Sequence, residues 1–271
     1  MIKLLAIYMD GTLLSDKKHI AEEQKRAIKE AINTGVHVVL CTGRPLIGVL
    51  PFYEELALED RKGYAIVNNG CAIHNTEDWS IVDCEMLPKE ELEYLYSFSE
   101  EFEEVNFTLF DDDSYLCIGK PNKYTEKDGA FVFTKVKEVS MEEILNGEYK
   151  IYKTMYVGEP SKIDEIQEKY GEKLCEKYNG IRSQVSIYET MPYNADKSLA
   201  VKRLAERLGI DREEVMAMGD GNNDVEMLKY AGVSVAMGNS TEDALKAAKF
   251  VTDTNENDGV AKAIDKYILG K

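Results

Sequence analysis

The chain has 271 residues, long enough to bury a substantial core as one large domain or two moderate ones. Its 44% apolar and 31% charged composition is that of an ordered globular protein, with no low-complexity stretch that would mark disorder. A formal charge of −17 argues against a nucleic-acid or anionic-membrane partner, because both associations begin with basic patches meeting phosphate.

In chain order, MIKLLAIYMD opens with an apolar run too short for a signal peptide, and no later stretch reaches the roughly 18 apolar residues that span a membrane. A cytoplasmic protein is expected. Residues 3 to 9 read as a buried strand, IAEEQKRAIKEAINTG as an amphipathic helix closed by Gly35, and VHVVLCTG as a second buried strand. Buried apolar runs alternating with helices are the pattern of a parallel sheet covered on both faces. The middle of the chain differs. From Cys84 to Glu189 the helix KEELEYLYSFSEEF precedes strands FTLF and SYLCIG, a polar stretch, strand KIYKTMYVG, helix SKIDEIQEKYG and strand SIYETMP. Adjacent strands without intervening helices imply antiparallel pairing, hence an inserted α+β unit. This segment has 13 Lys and Arg against 24 Asp and Glu, a net of −11, which leaves −6 for the rest. The α/β alternation then resumes with SLAVKRLAERLG helix, VMAMGD strand, DVEMLKYAG helix, VSVAMG strand, DALKAAK helix, FVTDT strand and a final helix from about Gly259. The fold class is therefore α/β, a doubly wound parallel-sheet core of residues 1–83 and 190–271 with an inserted α+β unit at 84–189.

Four places put polar groups at the ends of expected parallel strands or the start of the next helix: Asp10 with Gly11 and Thr12; Thr42 in CTGRP; Lys197 in NADKSLA; and Asp220 with Asn223 and Asp224 in GDGNND. Open α/β sheets bind ligands at their carboxyl ends, so these four can converge. Acids, a lysine and a hydroxyl together suggest phosphate beside a hard cation. Magnesium takes oxygen ligands and keeps waters, which suits Asp220; Lys197 offsets phosphate charge, and Thr42 donates to its oxygens. Asp10 can act as general acid toward a leaving alkoxide. Each place alone has an ordinary explanation: a turn at Asp10-Gly11, a solvated helix-end lysine, an Asx-rich helix cap, a capping threonine.

Taken in order, DGTLL, TGRP, a lone lysine before a helix and MGDGNNDVEML…AGVSVAMGN resemble the four motifs of the haloacid dehalogenase superfamily of phosphatases. The order and the insertion are similar to its Cof-type branch. The resemblance implies a Rossmannoid core with an α+β cap that chooses the substrate, and Mg2+-dependent hydrolysis of small phosphomonoesters such as sugar phosphates. It implies Asp10 as general acid/base with its carbonyl on the metal, Thr42 and Lys197 on the phosphoryl group, Asp220 on magnesium with Asp224 in support, and Asn223 orienting phosphate or water. Asn69 and Gly70 in VNNGCAI match a recurring family segment, and Gly43 and Arg44 of TGRP are further substrate-binding candidates. A monomer or weak homo-oligomer acting on a small phosphorylated metabolite follows.

One position departs from the pattern. The family's first motif begins two residues before the acid/base aspartate with another aspartate, which ligates magnesium and attacks phosphorus; here that residue is Tyr8. A phenol is mostly neutral at pH 7, longer and stiffer than a carboxylate, and a poor magnesium ligand. Three readings are open: a substitution in an otherwise ordinary phosphatase, a natural loss of catalysis in a noncatalytic phosphate-ligand sensor, and a tyrosyl nucleophile. The chain is expected to be inactive or strongly impaired.

The remaining features are bland. Cys41, Cys71, Cys84, Cys117 and Cys175 form no CxxC pair, so reduced packing residues are expected. His19, His37 and His74 lack ligand spacing, Asp111 to Asp113 lack the EF-hand glycine and glutamate, and Tyr94, Tyr96, Phe98 and Phe102 suit core packing.

Overall fold

The computed structural model describes residues 1–56, 63–111 and 113–271. It divides into two compact units, one of Met1–Gly43, Leu50–Asp83 and Lys197–Lys271, the other of Arg44–Val49 and Cys84–Asp196. The chain first lays down β1 (Leu4–Tyr8), α1 (Glu22–Asn33), β2 (His37–Cys41), α2 (Leu50–Leu56), β3 (Tyr64–Val67), β4 (Ala72–Asn75) and β5 (Ile81–Cys84). It then builds α3 (Lys89–Ser97), β6 (Asn106–Phe110), β7 (Tyr115–Ile118), α4 (Lys123–Phe131), β8 (Val136–Val139), α5 (Met141–Asn146), β9 (Lys153–Val157), α6 (Pro160–Cys175), β10 (Tyr178–Gln184) and β11 (Ile187–Pro192). It finishes with α7 (Lys197–Leu208), β12 (Val215–Gly219), α8 (Val225–Tyr230), β13 (Val233–Ala236), α9 (Glu242–Ala247), β14 (Phe250–Val251) and α10 (Gly259–Ile264).

The first unit carries an eight-stranded sheet in the order β14-β13-β12-β1-β2-β3-β4-β5. From β14 to β3 the pairs are parallel, and β4 turns back antiparallel on β3. The central strand LLAIY is apolar on both sides because both of its faces are covered: Leu4, Leu5, Ala6 and Ile7 are all fully buried. Leu4 and Ala6 meet Ala200, Val201 and Leu204 of α7, and α7 in turn lies along α8. Gln24, Ala27, Ile28 and Ala31, at helical spacing, are the buried stripe of α1, which packs with β2 and α10.

The second unit is a six-stranded sheet in the order β10-β11-β9-β6-β7-β8, antiparallel except for β7 with β8. Leu92 and Leu95 of α3, Phe98 just after it, and Ile163, Ile166 and Leu174 of α6 cover one face, against Phe107, Tyr156 and Tyr188. On the opposite face Phe110, Tyr115, Met155 and Ile187 pack with Val132, and a buried ion pair joins Lys153 to Glu189 at 3.1 Å. β11 pairs with β10 as far as Pro192 and with β9 as far as Thr190, and the second unit runs on to Asp196, beyond the 189/190 boundary expected from sequence. The polar stretch after β7 holds three elements the sequence pattern did not single out, α4, β8 and α5. Asn122 caps α4 by accepting from the N–H groups of Tyr124 and Thr125, and Ser140 with Glu143 forms a capping box on α5.

Phe98 is buried while Tyr94 stays partly exposed, edge-on to the Phe98 ring. Asp111 accepts from the N–H groups of Asp113 and Ser114 in the turn of the β6–β7 hairpin; Asp112 lies outside the described residues. All five cysteines are free thiols. Among the described residues no helix is long and apolar enough to cross a membrane.

Candidate active site

The turn that follows β1 is held by its own backbone. Leu13 N–H returns to the Tyr8 carbonyl at 3.2 Å and Leu14 N–H to that of Met9 at 2.9 Å. This fold-back requires a left-handed residue, and Gly11 supplies it at φ +82°. A Cβ on Gly11 would lie 2.3 Å from Asp220 Oδ2. Gly11→Ala is therefore expected to destabilise by about 1–3 kcal/mol through strain and displacement of Asp220. Denaturant unfolding measures this, and an unchanged midpoint would refute it.

The loop after β12 meets that turn. Thr12 Oγ1 donates to Asp220 Oδ1 at 2.7 Å, and Asn239 Nδ2 donates to the Gly11 carbonyl at 2.8 Å. Asp224 Oδ2 accepts from the N–H groups of Asp220 and Gly221, both at 3.1 Å, while its Oδ1 accepts from Lys197 Nζ at 2.6 Å. Asp224 and Lys197 are fully buried, at 0% and 2% exposure. Tyr8, on the same strand face as Leu4 and Ala6, brings its ring centroid to 3.8 Å from Lys197 Nζ, and its hydroxyl accepts from Asn223 Nδ2 at 3.4 Å. Asp10 pairs with Lys18 at 2.9 Å.

At the ends of β2 and β3, Thr42 donates its N–H to the Ile66 carbonyl at 2.9 Å and accepts from Asn69 N–H at 3.0 Å. Asn68, Asn69 and Gly70 are all left-handed. The Asn69 side chain lies so close to Gly43 that a Cβ there would sit 2.8 Å from Asn69 Oδ1. Two of the four expected places, around Asp10 and Asp220, are thus tied by side-chain hydrogen bonds, and Lys197 joins them through Asp224. Thr42 with Gly43 and Asn69 sits at the end of β2, the strand beside β1. Arg44 is the exception: it belongs to the second unit, where its guanidinium lies 4.3 Å from the Phe131 ring centroid and donates to the Phe131 carbonyl. Lys18 and Asn239 are contacts that sequence reasoning missed. Nothing distinguishes Lys18 from any loop lysine until the turn folds it back onto Asp10.

Burial raises the Asp220 carboxyl to about 6; the Thr12 bond opposes the rise, and nearby Asp224 and Asp10 add to it. Burial also raises the Tyr8 phenol, against the pull of Lys197. For Lys197, burial favours the neutral amine, but Asp224 and Tyr8 outweigh it and leave the ammonium pKa raised. Burial pushes Cys41 up to about 12, so it stays a thiol. The native chain holds a proton on Asp220 up to about pH 6, whereas the unfolded chain releases it near pH 4. Stability from this group therefore falls as pH rises across that window and is level above it. Asp220→Asn keeps an acceptor for Thr12. In metal-free buffer it is expected to match the parental chain at pH 4 and exceed it by about 2 kcal/mol at pH 7. A pH-independent difference in denaturant unfolding would overturn this.

A hard cation finds an incomplete set of donors. Asp220 offers a carboxylate, but both Asp224 oxygens already accept hydrogen bonds and Asp10 is paired with Lys18. Among the described residues no three His, Cys, Asp or Glu side chains converge as a metal-holding group. The phenol of Tyr8 does not make up the deficit.

A family model described as haloacid dehalogenase-like hydrolase matches residues 5–264. The chain belongs to the haloacid dehalogenase-like hydrolase family. It is 36% identical over 276 residues to YxeH of Bacillus subtilis (strain 168), with all of both chains covered. It is 31% identical to YcsE of the same organism, a 5-amino-6-(5-phospho-D-ribitylamino)uracil phosphatase, over 99% of this chain and 96% of that one. A solved haloacid dehalogenase-like hydrolase from Bacteroides thetaiotaomicron superposes with a TM-score of 0.89 at 31% identity, over 98% of this chain and 99% of that chain. These similarities place the chain in the Cof-type phosphatase branch of the family and, by resemblance, among phosphomonoester hydrolases. They agree with the α/β fold and the family expected from the four motifs.

Proposed function

We propose that this chain is a Cof-type phosphatase whose site is built for a small phosphorylated metabolite, and that Tyr8 leaves it inactive or strongly impaired as it stands. The observation that carries the reading is the position of the Tyr8 ring, beside Lys197 at the end of the central strand, where Lys197 is paired with Asp224 and Asp220 is held by Thr12. In this reading Thr42 and Lys197 hold the phosphoryl group, Asn223, Asn69 and Gly43 help to place it, and Asp10 passes a proton to the leaving oxygen. Asp224 keeps Lys197 protonated and oriented.

Family members generally use Mg2+, and we assign magnesium dependence to the form with a carboxylate at position 8, which adds the missing donor beside Asp220 and the Asp10 carbonyl. The second unit acts as the cap that chooses the substrate, with Arg44 anchored in it. The substrate class is a phosphate monoester of a sugar or similar polyol; the phosphorylated ribityl compound named for YcsE supports that class. The protein works in the cytoplasm as a monomer or weak homo-oligomer, without a nucleic-acid or membrane partner. Turnover of a generic phosphomonoester by the parental chain and by Tyr8→Asp tests the reading. Restored hydrolysis in the variant supports it; equal rates defeat it. A dead Tyr8→Asp that binds phosphorylated ligands tightly would favour a noncatalytic binding protein.

A further inference from the structure

Tyr8 does more than lack a carboxylate. Lys197 has three N–H donors, and one is spent on Asp224 at 2.6 Å. A phosphoryl oxygen must approach another to roughly 2.7–2.9 Å. The Tyr8 ring takes up space directly against that ammonium, its centroid 3.8 Å from Nζ. The ring has little freedom to leave, because it packs with the buried cluster of Leu4, Ala6, Ala200 and Val201 and its hydroxyl meets Asn223. Asn223 was expected to orient phosphate; here its amide is turned to the phenol instead. The Asp224 carboxylate and the Tyr8 ring thus both engage the buried Lys197 ammonium, which is already compensated.

We propose that Tyr8 is a built-in occupant of the phosphoryl position, closing Lys197 to oxyanions in the chain as it stands. The inference rests on the phosphoryl-site reading given above and sharpens it: the defect is a blocked site as well as a missing nucleophile. A desolvated cation–π contact is worth roughly thirtyfold in an equilibrium constant, and an incoming anion has to displace it.

Calorimetric titration with inorganic phosphate tests this on the intact chain and on Tyr8→Phe, Tyr8→Ala and Tyr8→Ala/Lys197→Met. The intact chain and Tyr8→Phe, which keeps the ring, are expected to bind phosphate weakly and alike. Tyr8→Ala should bind at least about tenfold tighter, a gain lost in the double variant. Intact chain binding phosphate as tightly as Tyr8→Ala overturns the proposal. A second measurement needs no variant: the Lys197 ε-methylene protons should show an upfield ring-current shift that persists in tens of millimolar phosphate. A shift that collapses as phosphate is added overturns the proposal even if Tyr8→Ala does not fold. The two readings fail separately. Tyr8→Asp regaining turnover while Tyr8→Ala gains no phosphate affinity refutes the occupant and leaves the enzyme; tighter phosphate binding by Tyr8→Ala with a dead Tyr8→Asp does the reverse.

Discussion

Tyr8→Asp is expected to hydrolyse a generic phosphomonoester at least about a thousandfold faster than the parental chain, and only with magnesium present. Loss of a covalent nucleophile commonly costs several orders of magnitude, because the remaining groups stabilise charge but cannot open the covalent route. The supporting groups here are intact: Thr12 fixes Asp220, Asp224 fixes Lys197, and the turn that carries Asp10 keeps its hydrogen bonds. A carboxylate at position 8 is shorter than the phenol, takes the ring off Lys197 and supplies the hard oxygen that the donor set lacks. Tyr8→Asn separates these contributions. It removes the ring without providing a nucleophile, so it should stay near the parental rate. Steady-state assays of the three proteins with and without magnesium decide the matter, and comparable rates for Tyr8→Asn and Tyr8→Asp would remove the nucleophile from the account.

Lys197→Met should destabilise the fold by about 3–5 kcal/mol, the usual cost of removing one partner of a buried ion pair. The pair lies at 2% and 0% side-chain exposure, and the Asp224 carboxylate would be left with only two backbone N–H donors. The ring of Tyr8 would also lose its cation. Adding Asp224→Asn should recover part of the loss, because the orphaned charge disappears while the amide oxygen still accepts from the loop backbone. Urea unfolding of the single and double variants measures both effects. A single-variant loss below about 1 kcal/mol would mean that the pair is solvated, contrary to its burial.

Part of the first unit's sheet was legible, where strands are apolar on both faces and separated by amphipathic helices: β1, β2, β12 and β13 lie where the pattern put them, whereas β3, β4 and β5, which follow one another without α-helices, were not singled out. Elements that depend on partners were less visible. β10, YNGIRSQ, is a polar edge strand whose register comes from β11, and β8, VKEV, is a short charged segment ordered by pairing with β7. The residues around Asp10, Lys197 and Asp220 stood out in the sequence as motifs at strand ends and a helix start, and the fold ties them together. Their wiring was not legible. That Lys197 donates to Asp224, that Lys18 reaches Asp10 and that Arg44 packs on Phe131 depend on side-chain directions set only by the folded backbone.

The central position of β1 has a consequence for the timing of synthesis. Leu4 pairs with His37 on one side and with Val215 on the other. The first neighbour leaves the ribosome soon after β1, but the second is made only after the whole inserted unit. At roughly 5–20 residues per second the nascent protein waits on the order of ten to forty seconds with one edge of LLAIY unpaired. That edge is apolar, nearly flat in composition and without charge, the kind of surface that recruits other strands.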